Sequence, residues 1–231
     1  MLGRFLELSL VTPDTGGAWQ QYQKLGFESA PTGDIRPYAY GVVACAGLAV
    51  GLHAVGDEPL SVTFVRPEVA ALHRELAAKQ MQVEQARLGS DVFNELTVRE
   101  AGGVALRVLE ARSFSPPLRT PQYTALGRFV SLSLPSRDIE ASGEFWRTLG
   151  YECVPMEDPW EGCAISGLPL AHHARRMLAE PMLVFHGAAD AVDALLDMGL
   201  IRERPVASLH ALRHVRLRLP GDVTALVLDP L

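Results

Sequence analysis

The feature that most restricts this chain is a repeat of itself. Gly3-Arg4-Phe5-Leu6-Glu7-Leu8-Ser9-Leu10 returns as Gly127-Arg128-Phe129-Val130-Ser131-Leu132-Ser133-Leu134, and the same spacing of 124 residues carries Asp14 to Asp138 and Leu25-Gly26-Phe27 to Leu149-Gly150-Tyr151. With a small deletion, Gly47-Leu48 maps onto Gly167-Leu168, which sets His53 opposite His173; further on, Pro59 maps onto Pro181 and Glu110 onto Asp229. Order, turn glycines and apolar alternation kept together at one spacing mean duplication. Two copies are expected, residues 1–112 and 125–231, joined by a linker over 113–124 in which Pro116, Pro117 and Pro121 remove backbone donors and block a helix.

Each copy divides again. Leu6, Leu8 and Leu10 alternate with Glu7, Ser9 and Val11, the pattern of a strand with one buried face, and the chain then enters a helix that Asp14 or Thr15 can cap and Gly26 stops. Strands are expected at 26–30, 38–46 and 48–55. The pattern restarts with a strand at 60–65, a helix at 67–79, and strands at 81–86, 93–99 and 104–109. The second copy repeats this through a helix at 189–198 and strands at 212–219 and 223–228. The fold class is therefore α+β, built from four βαβββ units.

Composition removes several functions. A net charge of −6 with no run of basic residues argues against nucleic acid, and no apolar stretch reaches the length of a membrane span. Three cysteines without paired spacing, Cys45, Cys153 and Cys163, argue against a disulfide framework or a zinc site, and with no leader pattern at the start the expected location is the cytoplasm. Neither GxSxG nor a phosphate-binding glycine loop occurs, so a serine hydrolase and a nucleotide-binding protein are not indicated.

Three elements recur in a fixed order in both copies. A strand ends in Pro13-Asp14 or Arg137-Asp138, a helix closes on Lys24-Leu25-Gly26-Phe27 or Thr148-Leu149-Gly150-Tyr151, and Gly102-Gly103 or Gly221-Asp222 precedes the last strand. In this the chain resembles the glyoxalase/bleomycin-resistance/dioxygenase superfamily, also called the vicinal oxygen chelate superfamily. The resemblance implies two tandem glyoxalase-like domains whose curved mixed sheets wrap a cleft. It also implies, for the enzymes of the group, a divalent metal held by His, Gln or Glu from the first and last strands of paired units. The matching positions here are Glu7 and Ser131 on the first strands, Gly51 and Ala171 on the fourth, Leu60 and Glu180 or Pro181 at the start of the second units, and Leu106 or Arg107 and Ala225 or Leu226 at the end. Only Glu7 and Glu180 offer a donor, so no metal and no other cofactor is expected.

Strand parity sets Glu7, Ser9, His53, Thr97 and Arg107 of copy one, and Ser131, Ser133, His173, His214, Arg216 and Arg218 of copy two, on the face opposite their apolar neighbours. A solvated sheet face accounts for any one of them; as a set turned to one cleft they point more strongly to a ligand site. Adjacent strand residues point apart, so His172 and His173 cannot both reach one metal. Tyr38, Tyr40, Phe93 and Trp160 can wall a planar ligand or pack in the core. Arg202, Arg204, Arg213, Arg216 and Arg218 gather positive charge near the C-terminus and suit an anionic group or simple solubility. The leading expectation is a metal-independent protein that binds or sequesters an apolar or aromatic small molecule, its ligand set being Glu7, Ser9, Tyr40, His53, Arg107, Ser131, Ser133, Trp160, His173, His214, Arg216 and Arg218. The alternative is a divergent lyase, isomerase or dioxygenase-like enzyme that uses Glu7, His53 or His173 for proton transfer. A monomer or loose homodimer is expected, since tandem copies supply each other's contacts.

Overall fold

The computed structural model describes residues 2–31, 37–111, 120–157, 160–187 and 192–229. Copy one runs β1 (Arg4–Val11), α1 (Thr15–Lys24), β2 (Glu28–Ala30), β3 (Tyr40–Cys45), β4 (Leu48–His53), β5 (Leu60–Arg66), α2 (Val69–Ala78), β6 (Val83–Arg87), β7 (Glu95–Arg99) and β8 (Ala105–Glu110). Copy two runs β9 (Arg128–Ser136), α3 (Ile139–Thr148), β10 (Cys153–Pro155), β11 (Gly162–Ile165), β12 (Leu170–Ala174), β13 (Met182–His186), α4 (Val192–Asp197), β14 (Ile201–Arg202), β15 (His214–Arg218) and β16 (Thr224–Leu228). These form two eight-stranded sheets of identical order, β2-β3-β4-β1-β5-β8-β7-β6 and β10-β11-β12-β9-β13-β16-β15-β14. In each, the first strands of two βαβββ units pair antiparallel at the centre, while each pairs parallel with the last strand of its own unit. The fold is the expected one.

The local causes repeat with the sequence. Asp14 accepts the Gly17 N–H at 2.8 Å to cap α1, and Asp138 accepts the Ala141 N–H at 3.0 Å to cap α3. Gly3 and Gly127 hold φ of +107° and +101°, where a side chain would be strained and would also overlap the carbonyls of Val65 and His186. On the helix side of the sheets Leu8, Leu10, Val62, Phe64, Leu132, Leu134, Leu183 and Phe185 enter a single continuous core shared by both copies, with Tyr22 of α1 and Trp146 of α3 fully buried at equivalent positions. Hydrogen bonds cross between the copies: Tyr151 Oη accepts the Leu2 N–H at 3.2 Å, Tyr22 Oη donates to the Pro220 carbonyl at 3.1 Å, and the Ala125 N–H reaches the Leu25 carbonyl at 2.8 Å.

Some expectations shift. Ser61 pairs with Ser9 and Met182 with Ser133, so Pro181 is the counterpart of Leu60, and the match of Pro59 to Pro181 is one residue off. The helix expected at 189–198 is Val192–Asp197, residues 188–191 lying outside the described residues, as do 112–119 of the expected linker. Short β14 and a 3-10 turn at Ala207–Leu209 were not foreseen, because neither has a periodic pattern of its own.

Candidate functional site

The opposite face of each sheet is where the copies part. In copy two, Met182, Val184, Leu226 and Leu228 stand on that face and form a second apolar cluster with Leu178, Val206 and Leu209, against which Trp160, Met177 and Leu212 pack. The chain around 177–178 and 206–212 thus fills the concave face of copy two. Its histidines hold this filling in place. His173 lies 2.8 Å from Ser133 Oγ through Nδ1 and reaches the Leu178 carbonyl through Nε2 at 2.9 Å; His214 accepts the Val206 N–H at 3.0 Å and reaches the Leu212 carbonyl at 2.9 Å. Burial pushes His173 down to about 4, so it is neutral at ordinary pH.

In copy one the residues at the same register are Ser61, Thr63, Arg107 and Leu109 in place of Met182, Val184, Leu226 and Leu228. Here the face stays open as a cavity of about 670 Å³ whose lining includes Ser9, Tyr38, His53, Ser61, Thr97, Arg99 and Arg107, the apolar Val11, Val55 and Ala105, and the carboxylates of Asp57, Glu58, Glu84 and Glu95. The expected aromatic wall is not assembled here. Tyr38 alone of the four lines the cavity, Tyr40 packs beside it on the His53 ring at 4.6 Å between centroids and donates to Glu7, Phe93 is exposed and Trp160 belongs to the filling of copy two.

The floor is organised by Glu7. Its Oε1 accepts from Ser9 Oγ at 2.8 Å and from His53 Nε2 at 2.9 Å, and its Oε2 accepts from Tyr40 Oη at 2.9 Å. Burial acts to raise its carboxyl, but the hydrogen bond and charge of His53, with Ser9 and Tyr40, outweigh it and hold the group below its ordinary value. Space for the carboxylate comes from Gly51, where a Cβ would overlap all three carboxyl atoms. In the neutral imidazole the proton therefore sits on Nε2, and Nδ1 carries the lone pair 3.4 Å from Tyr38 Oη, the ring itself lining the cavity. Ser9 Oγ also meets Thr63 Oγ1 at 2.9 Å.

Arg107 rises from the floor, its Nη2 3.2 Å from Glu95 Oε2 with both side chains about a third exposed. Arg99 closes the rim: Nε donates to Glu84 at 2.6 Å, Nη2 to Glu58 at 2.5 Å and Nη1 to the Gly103 carbonyl at 2.8 Å. Arg218 repeats the arrangement with Glu203 and Glu180 at 2.9 Å each and the Asp222 carbonyl at 2.9 Å, and Arg216 joins the same two carboxylates. A network kept in both copies, around an open cleft and a filled one alike, holds sheet edges together. The structure thus places Glu7, Ser9, Tyr40, His53 and Arg107 at one site, and Ser131, Ser133, Trp160, His173, His214, Arg216 and Arg218 in or around a filled one. Sequence reading missed Glu58, Glu84 and Glu203 as arginine partners and Gly51 as the space for Glu7; the first strand's lone acid opposite a fourth-strand glycine was the available signal.

A metal does not fit this donor set. Glu7 spends both oxygens on three side-chain donors, Gly51 and Ala171 bring no ligand, Arg107 and Leu226 stand at the last-strand positions, and among the described residues no group of three or more His, Cys, Asp or Glu side chains is placed to hold a metal ion.

No family model and no curated protein matches the chain. Solved structures do. A catechol 2,3-dioxygenase superposes at TM-score 0.60 with 15% identity over 98% of this chain and 87% of that one. Homoprotocatechuate 2,3-dioxygenase from Arthrobacter globiformis gives 0.62 with 12% identity over 99% and 80%, and the 2,3-dioxygenase LapB from Pseudomonas sp. KL28 gives 0.56 with 10% over 100% and 94%. The chain shares the fold of these dioxygenases along essentially its whole length, and no helix among the described residues is long and apolar enough to cross a membrane.

Proposed function

We propose that this chain is a glyoxalase/bleomycin-resistance/dioxygenase superfamily protein that binds one small organic acid, without metal, in the cleft of copy one. The observation that carries this reading is the asymmetry of the two clefts. The same sheet, in the same chain, is filled by its own leucines in copy two and left open over polar, pre-bonded groups in copy one. Keeping hydroxyls, an imidazole and an arginine unfilled on a sheet face forgoes apolar burial worth about 2 kcal/mol per large side chain, a cost that a ligand site justifies. Val11, Val55 and Ala105 suit an aliphatic or aromatic body, and Arg107 suits a carboxylate in two-point contact. Cytoplasmic residence accords with three free thiols, and the packing of the copies against each other supports a monomer or loose dimer.

Isothermal titration with matched aromatic and aliphatic acids and their amides tests the reading. One equivalent per chain is expected, with acids favoured over amides about tenfold and Arg107→Ala weakening acid binding by a similar factor, while Arg216→Ala changes it less than about twofold. Equal binding of acids and amides, insensitivity to Arg107→Ala, or two equivalents per chain would overturn it.

A further inference from the structure

The duplication gives His53 an internal control. His53 and His173 occupy the same register, opposite Val11 and Pro135. His173 has Ser133 on Nδ1 and the Leu178 carbonyl on Nε2, inside a filled cleft, and so has no nitrogen left for a ligand. His53 has Nε2 committed to the Glu7 carboxylate at 2.9 Å while Nδ1, among the described residues, meets the Tyr38 hydroxyl at 3.4 Å, on the wall of the open cavity. A buried carboxylate that fixes the tautomer of an imidazole whose second nitrogen faces a cavity is the arrangement of a general base.

We infer that His53 is a catalytic base and Glu7 its positioning residue, and that the cleft interconverts carbonyl acids by metal-independent proton transfer. This rests on the reading that the cleft binds an organic acid at Arg107. His53 Nδ1 takes a proton from the carbon next to the carbonyl; the C–H electron pair forms the carbon–carbon double bond, and the carbonyl pair moves to oxygen, beside the Tyr38 hydroxyl. The imidazolium so formed is balanced by Glu7. Return of the proton to the other face of the carbon, or to the conjugated position of an unsaturated acid, restores neutral His53 and completes an isomerisation with no oxidant, reductant or further reactant. His53 on β4 and Arg107 on β8 are three strand spacings apart, about 14 Å across the sheet, and their register, at Val11 and through Thr63 at Glu7 of β1, adds about 13 Å along the strands, so their backbones stand about 19 Å apart. The substrate class is therefore an acid whose carbonyl and carboxylate are separated by several bonds, too long for a simple 2-oxo acid.

Deuterium uptake next to the carbonyl, followed by proton NMR in heavy water, tests this with levulinate, 6-oxoheptanoate and 4-acetylphenylacetate and their methyl esters. The protein is expected to speed exchange of at least one acid about tenfold or more over buffer and to act less on its ester. His53→Gln should return exchange to the buffer rate while the same acid still binds by titration. Glu7→Gln should slow exchange, and Glu7→Ala should in addition let neutral His53 populate the Nδ1–H tautomer, because the carboxylate no longer accepts from Nε2. Nitrogen NMR of histidine-labelled wild-type protein adds a reading that needs no ligand: neutral His53 is expected as the Nε2–H tautomer. Acids that bind through Arg107 yet exchange at the buffer rate would overturn the base and leave the binding site standing. Exchange unchanged in His53→Gln, or neutral His53 protonated on Nδ1, would also overturn it. Neither binding nor exchange would overturn both readings.

Discussion

His172 makes the stability of the junction between the copies depend on acid. The side chain sits on β12, fully buried, where Nε2 accepts the Trp146 indole N–H of α3 at 2.7 Å; the ring proton is then on Nδ1, 3.9 Å from Glu100 Oε2 in the turn between β7 and β8. Neither Nδ1 nor Oε2 has another hydrogen-bond partner among the described residues. Burial, with the neighbouring His173, pushes His172 from its ordinary 6.5 down to about 4. Between these values the unfolded chain binds a proton that the folded protein refuses, so the stability carried by neutral His172 is complete above pH 6.5 and is lost as pH falls toward 4. At 1.36 kcal/mol per pH unit this interval amounts to about 3 kcal/mol. His172→Gln keeps an acceptor for Trp146 and a donor for Glu100 but cannot titrate. Urea unfolding by circular dichroism from pH 7 to pH 4 should show wild type losing about 3 kcal/mol more than the variant. Glu100, raised by burial, acts in the opposite direction and remains in both proteins, so it largely cancels in the difference. Parallel stability curves would refute the account.

Gly51→Ala should lower stability by about 1–3 kcal/mol and abolish acid binding, since its Cβ displaces the Glu7 carboxylate; thermal unfolding and titration read the two effects. Leu209→Ala, at a fully buried position in the filling of copy two, should cost about 2–4 kcal/mol in urea unfolding and leave binding in copy one unchanged. Limited proteolysis should cut within 113–121, where three prolines fall, and the two products should still co-elute in gel filtration because the copies share one core and several hydrogen bonds.

Most of the fold was legible because it is written twice. The alternation of Leu8 and Leu10 with Glu7 and Ser9, the capping Asp14 and Asp138, and the helix-ending glycines each carry a local physical rule, and repetition at one spacing tells rule from accident. Parity also set Glu7, Ser9, His53 and Arg107 on one face and turned His172 away from His173, as the structure has them. What parity does not contain is what lies above a face. Nothing in Met177-Leu178 or in the segment from Val206 to Leu212 announces that these residues fold back over their own sheet, since neither has a period and their partners are distant in sequence. The arginine partners are hidden for the same reason: Arg216 and Arg218 read equally as a wall for an anion or as surface charge, because Glu180 and Glu203, 36 and 15 residues from them in the shortest contacts, are brought alongside only by the fold.

The signal for the asymmetry was nevertheless present, in a comparison of residue class rather than position. Along the central strands, copy one has Ser61, Thr63 and Arg107 where copy two has Met182, Val184 and Leu226. Three polar-to-apolar exchanges at positions that all turn to the same face cannot leave that face wetted in both copies, because exposed apolar area of this size is covered by whatever chain is near. Copy two met the demand with its own connections and became a second core; copy one, with no such demand, kept its cavity. In a duplicated chain the copy whose concave face reads polar at every second residue is thus the one to examine for chemistry, and here that rule selects the copy with Glu7 under His53 and discards the one in which His173 is a structural pin.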